Sequence, residues 1–118
     1  MTPGARAERA AERHLRKRGY NTLARNLRVG RNELDLVMLA PDHTTVVVVE
    51  VKSSAMGTMR ARGALDAGKR RRIGKAIQTL ERLRLLEGFA LRVDGILVDT
   101  SSKRAAIEHL PGRPLPPR

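Results

Sequence analysis

The chain has 118 residues, with 24 Lys plus Arg against 12 Asp plus Glu for a net charge of +12, and no cysteine. A chain of that length makes one domain with a modest core, and the lack of thiols excludes a disulfide framework or a thiolate metal site and leaves the cytoplasm as the expected location. No apolar run approaches the roughly 20 residues that cross a bilayer, and the opening MTPGARAERAAERHLRKRGY lacks the apolar centre of a signal peptide, so no membrane association is expected.

From Ala5 to Arg18, small and apolar residues recur at Ala7, Ala10, Ala11, His14 and Leu15. That stripe predicts a helix, with Thr2 and Pro3 to start it and Gly19 to end it. YNTLARNLRV then reads as a first strand and NELDLVML as a second, with APDHTT supplying Pro and Asp for a turn. VVVVEVK is apolar on both faces, which predicts a strand inside the sheet rather than at its edge. Residues 53–68 are small, polar and glycine-bearing and read as a loop. From Lys69 to Glu87 a helical stripe of Ile73, Ala76, Ile77, Leu80 and Leu83 predicts a second helix, with Gly88 as its C-terminal cap. ALRVDGILVD is a fourth strand. The domain is expected over 1–110 and a proline-rich disordered tail over 111–118. Three close strands suit an antiparallel meander, and a helix before the fourth suits a parallel crossover. The fold class expected is therefore α/β, with a mixed central sheet flanked by helices.

The positive excess is concentrated. Between Arg60 and Lys75 stand seven basic residues and one acid, Asp66. Such a segment draws polyanions, nucleic acid first among them. Within it Lys69, Arg70, Arg71, Arg72 and Lys75 are the candidate contacts to backbone phosphates, at the start of a helix whose amides also favour anions. Tyr20 and Phe89 are the only aromatic residues. So sparse a set argues against a base-stacking platform and for duplex backbone. Among the other polar residues, His14 and His43 lack companions at ligand spacing, His109 supports no inference, and Ser53 and Ser54 lack a partnered base.

The chemistry-bearing residues interrupt the two most strand-like stretches. With PDHT as a four-residue loop, Ala40 faces Thr45, Asp35 faces Glu50 and Glu33 faces Lys52. Alternation then projects Glu33, Asp35, Glu50 and Lys52 from one face. Directly opposed side chains start about 4.5–5.5 Å apart at Cβ, close enough for two carboxylates to share a cation. Without one, they repel and one must hold a proton. Mg²⁺ suits the pair, because it takes one or two carboxylates and fills its other positions with water and phosphate oxygens. Lys52 would stand beside it to steady the developing phosphorane charge. The plainer alternative is an ion-paired, half-solvated sheet face.

RGYNTLARNLRVGRNELDLVML followed by VVVVEVKSS resembles the YraN-type uncharacterised protein family. That family is placed in the restriction-endonuclease-like PD-(D/E)xK nuclease superfamily, together with archaeal Holliday junction resolvases. The resemblance runs from about Glu8 to Asp94. It implies a metal, Mg²⁺ or Mn²⁺, held on the sheet by Asp35 and Glu50. Asp35 matches the acid of the family's GEIDL segment, Glu33 that segment's glutamate, and Glu50 and Lys52 its EVK segment. Glu8 falls on a helical glutamate that reaches the metal site in resolvase-like relatives. Where the family has glycine this chain has Ala7 and Asn32. What the resemblance implies is an endonuclease acting on duplex or branched DNA. The alternative is a nucleic-acid binding module on the same scaffold without turnover. Resolvase-like members act as dimers, which implies a homodimer, although the sequence offers no long apolar patch on which to place one.

Overall fold

The computed structural model describes residues 2–54, 67–101 and 103–112. Helix α1 spans Pro3–Arg16. Its start is fixed by the Thr2 hydroxyl, which accepts the Ala5 N–H at 3.1 Å, and by Pro3, whose missing N–H costs nothing in a first turn. At its other end the Gly19 N–H reaches the Arg16 carbonyl at 3.1 Å and the Tyr20 N–H reaches Leu15 at 3.2 Å. This Schellman closure needs a left-handed residue, which Gly19 supplies with φ 92°.

Strands β1 (Asn21–Val29), β2 (Asn32–Leu39) and β3 (Thr45–Ser54) form the expected antiparallel meander. The connection between β2 and β3 is locked by Asp42. Its Oδ1 accepts the N–H groups of Thr44 and Thr45 at 2.9 and 3.0 Å, and its Oδ2 accepts the Thr45 hydroxyl. Helix α2 (Ala67–Arg82) returns the chain to β4 (Ala90–Asp99), which pairs parallel with β3. The strand order β1-β2-β3-β4-β5 puts β3 in the middle, as its unbroken valine run requires.

Four expectations need correction. The second helix stops at Arg82 rather than running to Glu87. There the Arg84 N–H reaches Glu81 and the Leu85 N–H reaches Leu80, the same closure that ends α1, with Arg84 at φ 59° in place of glycine. Leu83, counted on the apolar stripe, is consequently exposed, and Gly88 at φ 86° serves the turn into β4. A fifth strand, β5 (Ala106–Leu110), pairs antiparallel with β4 where no strand was expected. Gly112, assigned to the tail, is tied back into the fold by its N–H. The loop expected at 53–68 begins later, since Ser53 and Ser54 complete β3; its residues 55–66, and 113–118 of the tail, lie outside the described residues.

The two described helices cover opposite faces. Ala7, Ala11 and Leu15 of α1 pack on Leu36, Met38, Val47, Val49 and Ile96, while Ile73, Ala76, Ile77 and Leu80 of α2 pack on Leu34, Val37, Val46, Val48 and Leu91. Truncating a fully buried member such as Leu15 to alanine removes about 2–5 kcal/mol through lost transfer energy and the cavity left behind.

Candidate active site

β2 and β3 pair with Leu36 opposite Val49, Val37 opposite Val48, Met38 opposite Val47 and Leu39 opposite Val46. This is the register that a four-residue loop dictates. One step beyond Leu36 and Val49 the same count sets Asp35 across from Glu50, but the paired stretch has ended. There the Val51 N–H donates to Asp35 Oδ2 at 2.8 Å, so a carboxylate takes the place of a strand carbonyl. Glu50 is 2% exposed, and Asp35 and Lys52 are half-buried. Two acids thus stand at the mouth of two separating strands, one of them almost wholly removed from solvent.

The four charged residues do not share a face. Val47, Val49 and Val51 belong to the core beneath α1 and Val46 and Val48 to the core beneath α2, so regular alternation turns Glu50 and Lys52 to the α2 side. On β2, however, Leu36 and Met38 face α1 while Leu34 faces α2, although all three share a parity. The alternation therefore changes phase at Asp35. β1 changes phase at the same level, since Ala24 and Leu27, three residues apart, both pack on the α2 side. Asn26, opposite Asp35 in that register, absorbs the change with φ 49°, a left-handed conformation that asparagine tolerates better than most residues.

The switch carries Glu33 to the α1 side. Asn26 Nδ2 donates to Glu33 Oε1 at 3.2 Å and to Glu8 Oε2 at 3.1 Å, joining the strand glutamate to the helical one. Arg28 stands 3.8 Å from Glu33. Glu8 and Glu33 accordingly form one group, Glu50 and Lys52 share the other face, and Asp35 stands at the switch, tied to the Val51 N–H. The expectation that all four strand residues project together is overturned for Glu33, because strict alternation fails wherever a residue leaves the β region.

Asn26 was absent from the sequence-derived set, and its only signal there was its residue type. Beside this group Glu12 accepts the Thr22 hydroxyl at 2.5 Å and Arg25 Nε at 2.8 Å. The hydrogen bond from Arg25 is the main reason its carboxyl lies below the ordinary glutamate value, against a smaller opposing effect of burial.

A second buried carboxylate, Asp94 on β4, has quite different surroundings. Arg92 Nε and Gly112 N–H donate to its Oδ1 at 2.9 Å, Arg92 Nη2 donates to its Oδ2 at 2.9 Å, and His109 Nε2 lies 2.7 Å from Oδ2. Tyr20 accepts from Arg92 at 2.7 Å and meets the His109 ring edge-on. Burial works to raise the Asp94 carboxyl, but these donors outweigh it and hold it below the usual aspartate value. His109, which sequence left without a role, is thus a partner of the most buried aspartate among the described residues.

Of the candidate phosphate contacts, all five lie on α2. Arg71 and Lys75 are exposed, and the side chains of Lys69, Arg70 and Arg72 are outside the described residues. Among the described residues no three His, Cys, Asp or Glu side chains converge to hold a metal ion. The donor set at the strand mouth is two carboxylates. It fits a hard cation that keeps water and substrate oxygens in its remaining positions, and not an all-protein cage. No described helix is long and apolar enough to cross a membrane.

A mixed five-stranded sheet flanked by two helices, with an acid pair where two antiparallel strands part, defines an α/β protein compatible with the restriction-endonuclease-like fold. The chain belongs to the uncharacterised protein family UPF0102, whose model matches residues 7–98. It is 40% identical over 111 residues to a UPF0102 protein of Porphyromonas gingivalis, covering 90% of this chain and 78% of that one. It is 42% identical over 80 residues to the UPF0102 protein sce2912 of Sorangium cellulosum, covering 67% of this chain and about half (54%) of that relative's length. Among solved structures, the SPO1766 protein of unknown function from Silicibacter pomeroyi aligns with 99% of this chain and 77% of its own at a TM-score of 0.48 and 22% identity.

Proposed function

We propose that the protein is a metal-dependent phosphodiester hydrolase acting on duplex or branched DNA, within the PD-(D/E)xK nuclease superfamily. The observation that carries this reading is the placement of Asp35 and buried Glu50 at facing positions one step beyond the end of the β2–β3 ladder, with Lys52 two residues further on the same face as Glu50. In this reading Asp35 and Glu50 hold Mg²⁺ or Mn²⁺. The bound ion supplies Lewis acidity toward a phosphoryl oxygen and lowers the pKa of water. Lys52 places its ammonium against the negative charge that builds on the phosphorus oxygens and steadies the attacking water. Glu8 and Glu33, joined through Asn26, support from the opposite, α1 face of the sheet. Lys69, Arg70, Arg71, Arg72 and Lys75 grip backbone phosphates, consistent with the net charge of +12.

Replacing Lys52 by alanine should cut the cleavage rate about 10²–10³-fold, the usual loss when one donor to a developing charge is removed. The assay is cleavage of linear and branched DNA with Mg²⁺ or Mn²⁺, alongside a check that the variant's circular dichroism matches the wild type. A variant that cuts at the wild-type rate removes Lys52 from the chemistry. The second reading, a nucleic-acid binding module without turnover, is favoured by the absence of any three metal-capable side chains converging among the described residues. It predicts salt-sensitive DNA binding by the wild type and no cleavage with either metal.

A further inference from the structure

Helix α1 carries opposite charges on its two flanks. Glu8 and Glu12 turn toward β1, where Asn26, Thr22 and Arg25 hold them. On the other flank Arg6, Arg9 and Arg13, with Lys103 from the β4–β5 connection, line a cleft of about 240 Å³ over an uncharged floor that includes Val98 and Thr100. All four cations are exposed, and no acid is among the described residues of the cleft wall. None of the four enters an ion pair among the described residues.

This arrangement costs stability in the protein alone. Like charges three and four residues apart on a helix repel by a few tenths of a kcal/mol per pair. Arg6 also lies in the first turn, where the helix dipole disfavours cations and where no acid stands to compensate. A surface that is unfavourable by itself becomes favourable when an anion fills it. From Arg6 to Arg13 the helix advances about 10.5 Å at 1.5 Å per residue, a span that suits a row of charges better than a single small anion. It matches about three steps of one DNA strand at 3.4 Å each.

We propose that this cleft is a second track for DNA backbone phosphates, on the sheet face opposite the α2 cations Arg71 and Lys75. The proposal rests on the reading of the protein as nucleic-acid binding and adds a surface to it. The cleft touches the end of the strand that carries Lys52, because its Thr100 N–H donates to the Ser54 carbonyl at 2.9 Å and Ser54 ends β3, while Lys52 itself turns to the other face. The cleft is therefore a separate surface, bordering β4 and the end of β3 on the α1 face.

The test is fluorescence anisotropy of a short labelled DNA duplex across a salt series, with full-length protein. The variants are Arg6→Gln/Arg13→Gln, Lys103→Gln, the α2 variant Arg71→Gln/Lys75→Gln, and a charge-matched control, Arg31→Gln/Arg84→Gln. The expected result is a log–log salt slope that flattens by about 0.9 for each phosphate that the α1 and Lys103 variants no longer neutralise. The charge-matched control should keep the wild-type slope. If the wild type binds with a steep salt dependence and the α1 and Lys103 variants match the control, the cleft is not a phosphate track, while the nucleic-acid reading survives on α2. If the wild type shows no salt-sensitive duplex binding, the nucleic-acid reading falls and this inference falls with it.

Discussion

The sheet carries two buried carboxylates in neighbouring strands, Asp94 on β4 and Glu50 on β3, and their surroundings differ. Asp94 is met by four donors, two from Arg92, one from the Gly112 backbone and one from His109, which fill the capacity of a carboxylate. Glu50 stands across from a second acid, Asp35, one step beyond the point where backbone pairing stops. A charge neutralised within the chain is a tie, and it holds β5 and the segment after it against β4. In the proposed function it is the second pair, two acids set near one another, that would favour a cation between them.

Removing the tie should produce the largest effect on stability. Asp94→Ala leaves Arg92 and His109 without their anion, and breaking a buried pair in this way costs about 3–5 kcal/mol. Urea unfolding followed by circular dichroism measures it, and a loss below about 1 kcal/mol, the ordinary worth of an exposed pair, would mean the network is incidental. The pH dependence has a definite sign. The Asp94 carboxyl is lower in the folded chain than in the unfolded one, so its stabilisation is complete above the ordinary aspartate pKa of about 3.9 and is lost as pH falls through the lower folded value. Asp94→Asn should therefore flatten the acid limb of stability against pH.

A smaller effect is expected next to the tie. An added Cβ at Gly112 would collide with the Val93 carbonyl, so Gly112→Ala must shift the chain that delivers its N–H to Asp94. Overpacking of this kind costs about 1–3 kcal/mol. Thermal melts of the wild type and the variant would show it, and equal melting temperatures would separate Gly112 from the tie.

Both strands also show where sequence speaks. The valine run of β3 announced a central strand because only a strand covered on both faces can be apolar on both faces. The PDHT loop set the β2–β3 register correctly, since Asp42 closes it through its own side chain. Four features were hidden for separate reasons. Strict alternation could not foresee the phase change at Asp35, which depends on the left-handed backbone of Asn26 across the sheet. The end of α2 was concealed by leucines that continue the helical spacing past Arg82 but lie exposed. β5, five residues at the sheet edge with Glu108 and His109 among them, has too little apolar alternation to be read without its partner. His109 and Asp94 are fifteen residues apart, and no local pattern links them.

The central claim is that Asp35 and Glu50 together hold a divalent cation. It is tested most directly by calorimetric titration of Mg²⁺ and Mn²⁺ into the wild type and into the Asp35→Asn/Glu50→Gln double variant, each with and without duplex DNA. The account predicts saturable binding of both ions by the wild type, strengthened by DNA, and none by the double variant, with the variant's fold intact by circular dichroism. Equal heats from the two proteins, or no binding by the wild type even with DNA present, would contradict it and leave the pair as a structural feature of the strand mouth.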